Sequence, residues 1–123
     1  MISDIDLHCH STASDGKLAP EDLVARAAER GIRTLAITDH DTAEGFRRAQ
    51  SKARELDVRL IPGIELSCVW GGITVHLVGL NFDPDSEAMQ KAEAIQADAR
   101  AKRSEVITER LSKRLKHEIN LAD

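Results

Sequence analysis

The chain has 123 residues and a formal net charge of −4, with 41% hydrophobic and 2% aromatic residues. This hydrophobic content is typical of one domain with an aliphatic core and is too high for a disordered chain. The negative charge and the scarcity of aromatic side chains argue against a basic nucleic-acid binder and against binding by base stacking. With two cysteines, no signal-peptide pattern and no apolar run of about 18 residues, we expect a cytoplasmic protein without a membrane span.

A strand and a helix are predicted first along the chain. Apolar and polar residues alternate at positions 5–10, which indicates a strand with His8 and His10 on the same face. The segment KLAPEDLVARAAERG follows and is typical of a helix that begins at Pro20, has acidic residues in its first turn and ends at Gly31.

The second half of the alternating pattern holds three more strands. RTLAITDH predicts a strand that ends at His40, after which Thr42 can cap a second helix. RLIPGIELSCVW predicts a strand interrupted by the Pro-Gly pair at 62–63, and the Gly-Gly pair at 71–72 indicates a hairpin turn. ITVHLVGLNF then predicts the returning strand, and residues 86–118 have a helical pattern.

Strands that alternate with helices indicate an α/β fold with a parallel sheet or a barrel. The composition changes near 83–84, where the alternating pattern gives way to helix. We therefore divide the chain into an α/β part, residues 1–83, and a helical segment, residues 84–123.

Histidine and carboxylate side chains follow the predicted strands at their carboxyl ends, where barrel enzymes have their chemistry. The candidate metal ligands are His8, His10, Asp15, His40, Glu65 and His76. A single histidine in a strand is more often structural, but six such groups at one end of a sheet point to a common site. Imidazole with carboxylate suits Zn, Mn or Fe rather than Ca or Mg, and six ligands exceed one tetrahedral site. More than one metal ion is therefore expected.

Four motifs together resemble the PHP family, which is named for polymerase and histidinol phosphatase. They are DLHCHSTASDG, LAITDHDT, IPGIELS and VHLVGL, and they follow the family's order over residues 5–82. The resemblance is greatest to the bacterial group related to RNase AM, whose members are 3′,5′-nucleoside bisphosphate phosphatases and 5′-to-3′ exoribonucleases. It implies a metal-dependent phosphoesterase whose substrate is a phosphorylated nucleotide or short RNA.

The resemblance also implies a fold and a ligand set. The fold is a distorted (β/α)7 barrel with up to three metal ions at its mouth, of which this chain holds the N-terminal half followed by a long helix. His8 and His10 would bind the first metal, and Asp15 and His40 the second. Glu65 would bridge the first and third metals, and His76 would bind the third. A hydroxide between two metals would attack phosphorus, so no catalytic side-chain nucleophile is expected.

The family's later ligands, a histidine and an Asp-x-His pair, have no counterpart here. After His76 the chain has only His117 and no Asp-x-His sequence. We therefore expect an incomplete site, weak or no activity of the chain alone, and either self-association or a partner polypeptide that carries the missing half. Asp39 and Asp41 are interpreted as groups that support the ligands, since Asp39 would face away from His40 on the strand.

Other interpretations stay open. The chain could be a non-catalytic metal-binding PHP remnant, a histidinol-phosphatase-like domain or the PHP domain of a polymerase. Residues 100–118 have seven Lys/Arg and three Glu, which is typical of a solvated helix face or, less often, of a surface that attracts phosphate. Cys9, Cys68 and Trp70 are interpreted as packing residues.

Overall fold

The computed structural model describes residues 4–115, which form one mixed sheet of four strands and three helices. The elements are β1 (Ile5–Cys9), α1 (Pro20–Glu29), β2 (Thr34–Ile37), α2 (Glu44–Glu55), β3 (Arg59–Trp70), β4 (Ile73–Leu80) and α3 (Glu87–Leu115). The sheet order is β1-β2-β3-β4. The α/β prediction and the order of its elements are confirmed.

The first three strands are parallel, and α1 and α2 connect them. Parallel neighbours require such crossovers, which place both helices against the sheet. The apolar faces of the helices and strands meet in a small aliphatic core, formed by Val24, Leu35, Ile37, Ala49, Ala53 and Val58. This core fixes the sheet, and with it the carboxyl ends of the strands where the candidate ligands lie.

The third strand is continuous and changes its partner at the Pro-Gly pair. Pro62 makes the last parallel pair with Ile37, and Gly63 makes the first antiparallel pair with Leu80 of β4. Proline has no N–H to donate, so it suits the point where one ladder ends. The predicted interruption of this strand is wrong, because the pair changes the ladder and not the strand.

A two-residue turn joins β3 to β4, as predicted. Gly71 and Gly72 have φ angles of 56° and 80°, which a tight hairpin turn requires at both central positions. The hairpin extends well beyond the core, so Trp70 is 80% exposed. The interpretation of Trp70 as a packing residue is therefore wrong for this chain.

The second strand is shorter than predicted. It ends at Ile37, and His40 is joined to the sheet only by a single parallel bridge to Glu65. The N-cap of α2 is Ala43, one residue later than predicted, although the Thr42 hydroxyl still accepts the amide of Glu44 at 3.1 Å. The backbone thus leaves the sheet early and forms a loop that carries His40.

The long helix α3 begins at Glu87, one residue after its predicted start, and continues to Leu115, the last of the described residues. The rest of the predicted helix, including His117, lies outside the described residues. None of the helices within 4–115 has the length and apolar character needed to cross a membrane. The division of the chain near 83–84 into two parts stays a prediction.

Candidate metal centre

The carboxylate of Glu65 lies at the centre of four imidazole rings. Its Oε1 is 2.8 Å from Nε2 of His8 and 3.8 Å from Nε2 of His10. Its Oε2 is 3.0 Å from Nδ1 of His40 and 3.7 Å from Nδ1 of His76. The Glu65 side chain is only 8% exposed, so the two oxygens face two separate pairs of ring nitrogens within a shielded site.

A second carboxylate, that of Asp15, joins two of these rings from the other side. Its oxygens lie 3.5 Å from Nδ1 of His10 and 3.2 Å from Nε2 of His40. The two rings are stacked with their centroids 4.5 Å apart. His10 and His40 thus have one nitrogen directed to Glu65 and the other to Asp15.

The backbone explains why these side chains converge. The amide of Glu65 donates to the carbonyl of Asp39, and the amide of Asp41 donates to the carbonyl of Glu65, both at 2.9 Å. This pairing fixes His40, which lies between the two aspartates, next to Glu65. His76 pairs with Ser67 on the antiparallel ladder, and Ser67 shares a strand face with Glu65 because it is two residues away.

Asp39 fixes the loop that follows β1. The buried carboxylate accepts hydrogen bonds from the Ser11 amide at 2.6 Å, the Ser11 hydroxyl at 2.7 Å and the Ser14 hydroxyl at 2.8 Å. Gly45 allows this arrangement, since a Cβ atom there would overlap the Asp39 carboxylate. Asp39 thereby positions the loop between His10 and Asp15, which agrees with its predicted supporting role.

Asp41 connects the same loop to β3 and α3. The residue has a φ of 59°, and its carboxylate accepts hydrogen bonds from the amide and hydroxyl of Ser67 and from Arg100 at 2.7 Å. Burial tends to raise the pKa of Asp41, but the hydrogen bonds from Arg100 and Ser67 outweigh it and lower that pKa below 3.8. Asp41 is therefore held as a carboxylate, again in a supporting role.

Two residues of α3, Gln96 and Glu93, attach this helix to β3 and to the segment that follows His40. Gln96 donates to the carbonyl of Ser67 at 2.9 Å. Glu93 accepts two hydrogen bonds from Arg47, at 2.8 and 3.1 Å, and one from the amide of Ala43 at 3.3 Å. These residues of α3 were missed in the sequence, because nothing in a helical pattern indicates which loop the helix will contact.

The donor atoms fall into three groups, in each of which all atoms lie within 4.8 Å of one another. The groups are His8, His10 and Glu65; His10, Asp15 and His40; and His40, Glu65 and His76. The six predicted residues are thus brought together, and His10, His40 and Glu65 each belong to two of the groups. Their role as metal ligands stays a prediction.

The residues present fit a divalent transition-metal ion. Nδ1 of His10 is buried and lies 3.5 Å from Asp15 without forming a hydrogen bond. It is the single buried side-chain nitrogen or oxygen of the described residues that has no hydrogen-bond partner. A buried polar atom without a partner is costly, and a metal ion would satisfy it. A set of imidazole and carboxylate donors is also the set that Zn, Mn and Fe prefer.

Neither cysteine belongs to the site. The Cys9 thiol packs against the core and donates to the carbonyl of Ala36 at 3.3 Å. Burial, with smaller contributions from Asp6 and Asp39, raises its pKa to about 12. A thiol with such a pKa is inert as a nucleophile or metal ligand, which supports the packing interpretation of Cys9.

Comparison with known proteins connects this geometry to a family. The sequence model of the PHP domain matches residues 6–117. A 5′-3′ exoribonuclease of Haemophilus influenzae is 45% identical over 113 residues, which are 92% of this chain and 41% of that protein. A 3′,5′-nucleoside bisphosphate phosphatase of Chromobacterium violaceum is 43% identical over 88 residues, which are 72% of this chain and 31% of that protein.

Solved structures give the same result for the fold. An amidohydrolase from Chromobacterium violaceum, with bound sulfate and no metal, has a TM-score of 0.81 and 37% identity, covering 90% of this chain and 39% of its own. A protein from Bifidobacterium adolescentis, assigned as a metal-dependent phosphoesterase, has a TM-score of 0.80 and 35% identity over 89% of this chain and 38% of its own. The chain spans about two fifths of the length of most of these relatives, and its sheet with three helices is a partial PHP barrel. This chain is thus a member of the PHP domain family.

Proposed function

We propose that the chain supplies the metal-binding N-terminal part of a metal-dependent phosphoesterase that acts on phosphorylated nucleotides or short RNA. The observation that supports this proposal most is the convergence of four imidazoles on the two oxygens of Glu65. Relatives that share this part of the sequence are named as an exoribonuclease and a nucleoside bisphosphate phosphatase. Both names describe the hydrolysis of a phosphate ester.

Manganese, zinc or iron ions would be held by the three donor groups, and complete relatives would hold up to three. The chemistry such ions supply is neutralisation of phosphate charge and activation of water near neutral pH. The contribution of this chain is positional. Glu65 fixes four rings at once, and Asp39 and Asp41 fix the loops that carry His10, Asp15 and His40.

No side chain of the described site is placed as a nucleophile. Ser11 and Ser67 both donate their hydroxyl hydrogen to a buried carboxylate, Asp39 and Asp41 respectively, and the Cys9 thiol is held protonated by its raised pKa. Attack by water therefore fits the site better than a covalent enzyme intermediate.

Metal analysis tests the first part of the proposal. After loading with Mn or Zn and gel filtration, elemental analysis should find at least one and fewer than three ions per chain. Glu65→Gln should lower the affinity by at least about 10-fold, since it removes the charge that faces all four rings. Glu109→Gln is the matched control, because Glu109 pairs with Lys113 on the exposed helix surface, away from the candidate ligands. A chain that stays metal-free in excess Mn and Zn would contradict the proposal.

Phosphate release tests the second part. With adenosine 3′,5′-bisphosphate and Mn, we expect weak or no turnover by this chain alone, and an increase when a polypeptide with the family's later ligands is added. A loss of geometry of about 1 Å can cost on the order of 100-fold in rate. His8→Ala and Glu65→Ala should abolish any turnover. Turnover that neither substitution changes would show that the chemistry lies elsewhere.

A further inference from the structure

The contact between Asp41 and Arg100 links α3 to the segment that carries His40. Nη2 of Arg100 donates a hydrogen bond to Oδ2 of Asp41 at 2.7 Å, and the two groups form an ion pair. The Asp41 side chain is only 5% exposed, and its other hydrogen-bond donors, the amide and hydroxyl of Ser67, are neutral. Within residues 4–115, Arg100 is therefore the one charged partner of this buried carboxylate.

His40 depends on its neighbours because it lies outside the regular strands. β2 ends at Ile37, and the segment with His40 is joined to the sheet by its bridge to Glu65. Asp41 has a φ of 59°, a left-handed conformation that is costly for a residue other than glycine and persists where contacts hold it. The hydrogen bonds to the Asp41 carboxylate thus hold the backbone that sets the position of the His40 ring.

The His40 ring has a central place among the candidate ligands. Its Nδ1 lies 3.0 Å from Oε2 of Glu65, and its Nε2 lies 3.2 Å from Oδ2 of Asp15. It belongs to two of the three donor groups, one of which contains Asp15 and the other Glu65. A shift of this ring would therefore disturb two donor groups at once.

The Asp41–Arg100 contact is open on both sides. Both residues line a cavity of about 550 Å³ towards α2 and a second cavity of about 310 Å³ towards the β3–β4 hairpin. The Arg100 side chain is 56% exposed, so water can replace it and the contact can open while the core stays intact. The contact therefore depends on the docking of α3, and the position of this helix can be transmitted to His40.

We propose that Arg100 is a positioning residue for the candidate metal centre, which acts through Asp41 on His40 and couples the docking of α3 to metal binding. The inference rests on the metal-binding part of the proposed function and adds a role for a helix that carries none of the six candidate ligands. Such a coupling is reciprocal. A docked helix that raises the affinity for the metal must itself be held more firmly once the metal is bound.

Two measurements on the same chain test both directions of this coupling. Calorimetric titration with Mn measures the affinity, and we expect Arg100→Gln to lower it by about 5-fold or more. Hydrogen exchange followed by mass spectrometry measures the docking, and saturation with Mn should slow the exchange of residues 93–103 in the wild type by a similar factor. In Arg100→Gln this effect of Mn should be lost.

Two further variants show whether Arg100 acts through Asp41. Arg100→Lys should restore most of the affinity, because the contact is a single hydrogen bond from a cation and an ammonium group can supply both. Asp41→Asn weakens the same contact from the other side. Arg100→Gln should therefore lower the affinity much less in an Asp41→Asn background than in the wild type.

Arg110→Gln is the matched control, since it removes an equal charge from an exposed position of the same helix and should change the affinity by less than about 2-fold. An unchanged affinity in Arg100→Gln, an equal loss in the control or full additivity with Asp41→Asn would overturn the inference. Exchange of α3 that is the same with and without Mn, or an effect of Mn that persists in Arg100→Gln, would overturn it too.

These outcomes are distinguishable from a failure of the proposed function. Mn binding that is independent of Arg100, together with turnover that depends on Glu65, would support the phosphoesterase and contradict the coupling. Coupling without any turnover, even when the missing half is supplied, would support the inference and contradict the phosphoesterase. A wild type that binds no Mn would contradict both.

Discussion

Two buried aspartates on either side of His40 fix the loops of the candidate site through hydrogen bonds. Asp39 receives three hydrogen bonds from the loop after β1, and Asp41 receives three from β3 and α3. Both are at least 94% buried. Because hydrogen bonds to charged groups are stronger than neutral ones, the loops that carry the ligands are fixed by the protein itself before any metal binds.

Asp39→Ala should reduce the free energy of unfolding by about 3 kcal/mol, because it leaves the buried amide and hydroxyl of Ser11 without an acceptor. Urea denaturation followed by circular dichroism measures this loss. The control Asp98→Ala removes an exposed carboxylate that pairs with Lys102 on the surface of α3 and should cost less than about 1 kcal/mol. Equal free energies of unfolding for the two variants would show that the Ser11–Asp39 hydrogen bonds stabilise the protein no more than an exposed ion pair does.

Polar contacts, and not an apolar interface, attach α3 to the rest of the molecule. Glu93 contacts Arg47, Gln96 contacts Ser67, and Arg100 contacts Asp41, while Ile95 on the same helix is 66% exposed. Such an element can detach locally at a lower free energy than the core requires for unfolding. The position of α3 over the His40 loop is therefore sensitive to the charge of its few anchoring groups.

Acid should loosen this attachment through Glu93. Burial tends to raise the pKa of Glu93, but the hydrogen bonds from Arg47, Ala43 and Thr42 outweigh it and lower that pKa below 4.5. A lowered pKa means that the attachment is fully present above about pH 4.5 and is lost as the pH falls through the lowered value. At neutral pH, Glu93→Gln should weaken it by about 1–2 kcal/mol.

Hydrogen exchange of α3, corrected for the intrinsic effect of pH, measures this prediction. At about pH 6, Glu93→Gln should exchange about 10-fold faster than the wild type, and the difference should shrink as the pH falls through the lowered pKa of Glu93. Glu109→Gln serves as the control, because its partner Lys113 is on the same helix. A difference that is constant with pH would exclude ionised Glu93 as the anchor.

Local sequence patterns predicted the features that depend on residues close together in the sequence. The period of two placed His8 and His10 on one strand face, and Gly71 with Gly72 predicted the hairpin turn. The patterns failed for features that depend on contacts between residues far apart in the sequence. β2 ends at Ile37 because the backbone turns to pair His40 with Glu65. The docking of Gln96 and Arg100 on the site depends on the folded positions of Ser67 and Asp41, which no local period encodes.

At the scale of the whole molecule, the sheet has two edges, β1 and β4. Neither strand is covered by α3 along its length, and apolar side chains of the hairpin are exposed. They are Val69, Trp70, Ile73, Leu77 and Val78, with exposures between 45% and 80%. Unpaired strand edges and large apolar surfaces favour association with another chain. We propose that the polypeptide with the family's later ligands would supply strands that continue the sheet here.

Self-association through the β4 edge is the expected behaviour of this chain when no such strands are supplied. Leu77 is 55% exposed and, as the neighbour of His76 on the strand, faces away from the candidate metal centre. Leu77→Lys places a charge on that edge, which opposes pairing between strands. We expect light scattering at high micromolar concentration to show oligomers for the wild type and a shift towards monomer for Leu77→Lys.

Ile95→Lys, on the exposed surface of α3, is the matched control and should leave the oligomers unchanged. A wild type that stays monomeric at this concentration would show that its edges are protected, and an equal effect of Ile95→Lys would place the interface on α3.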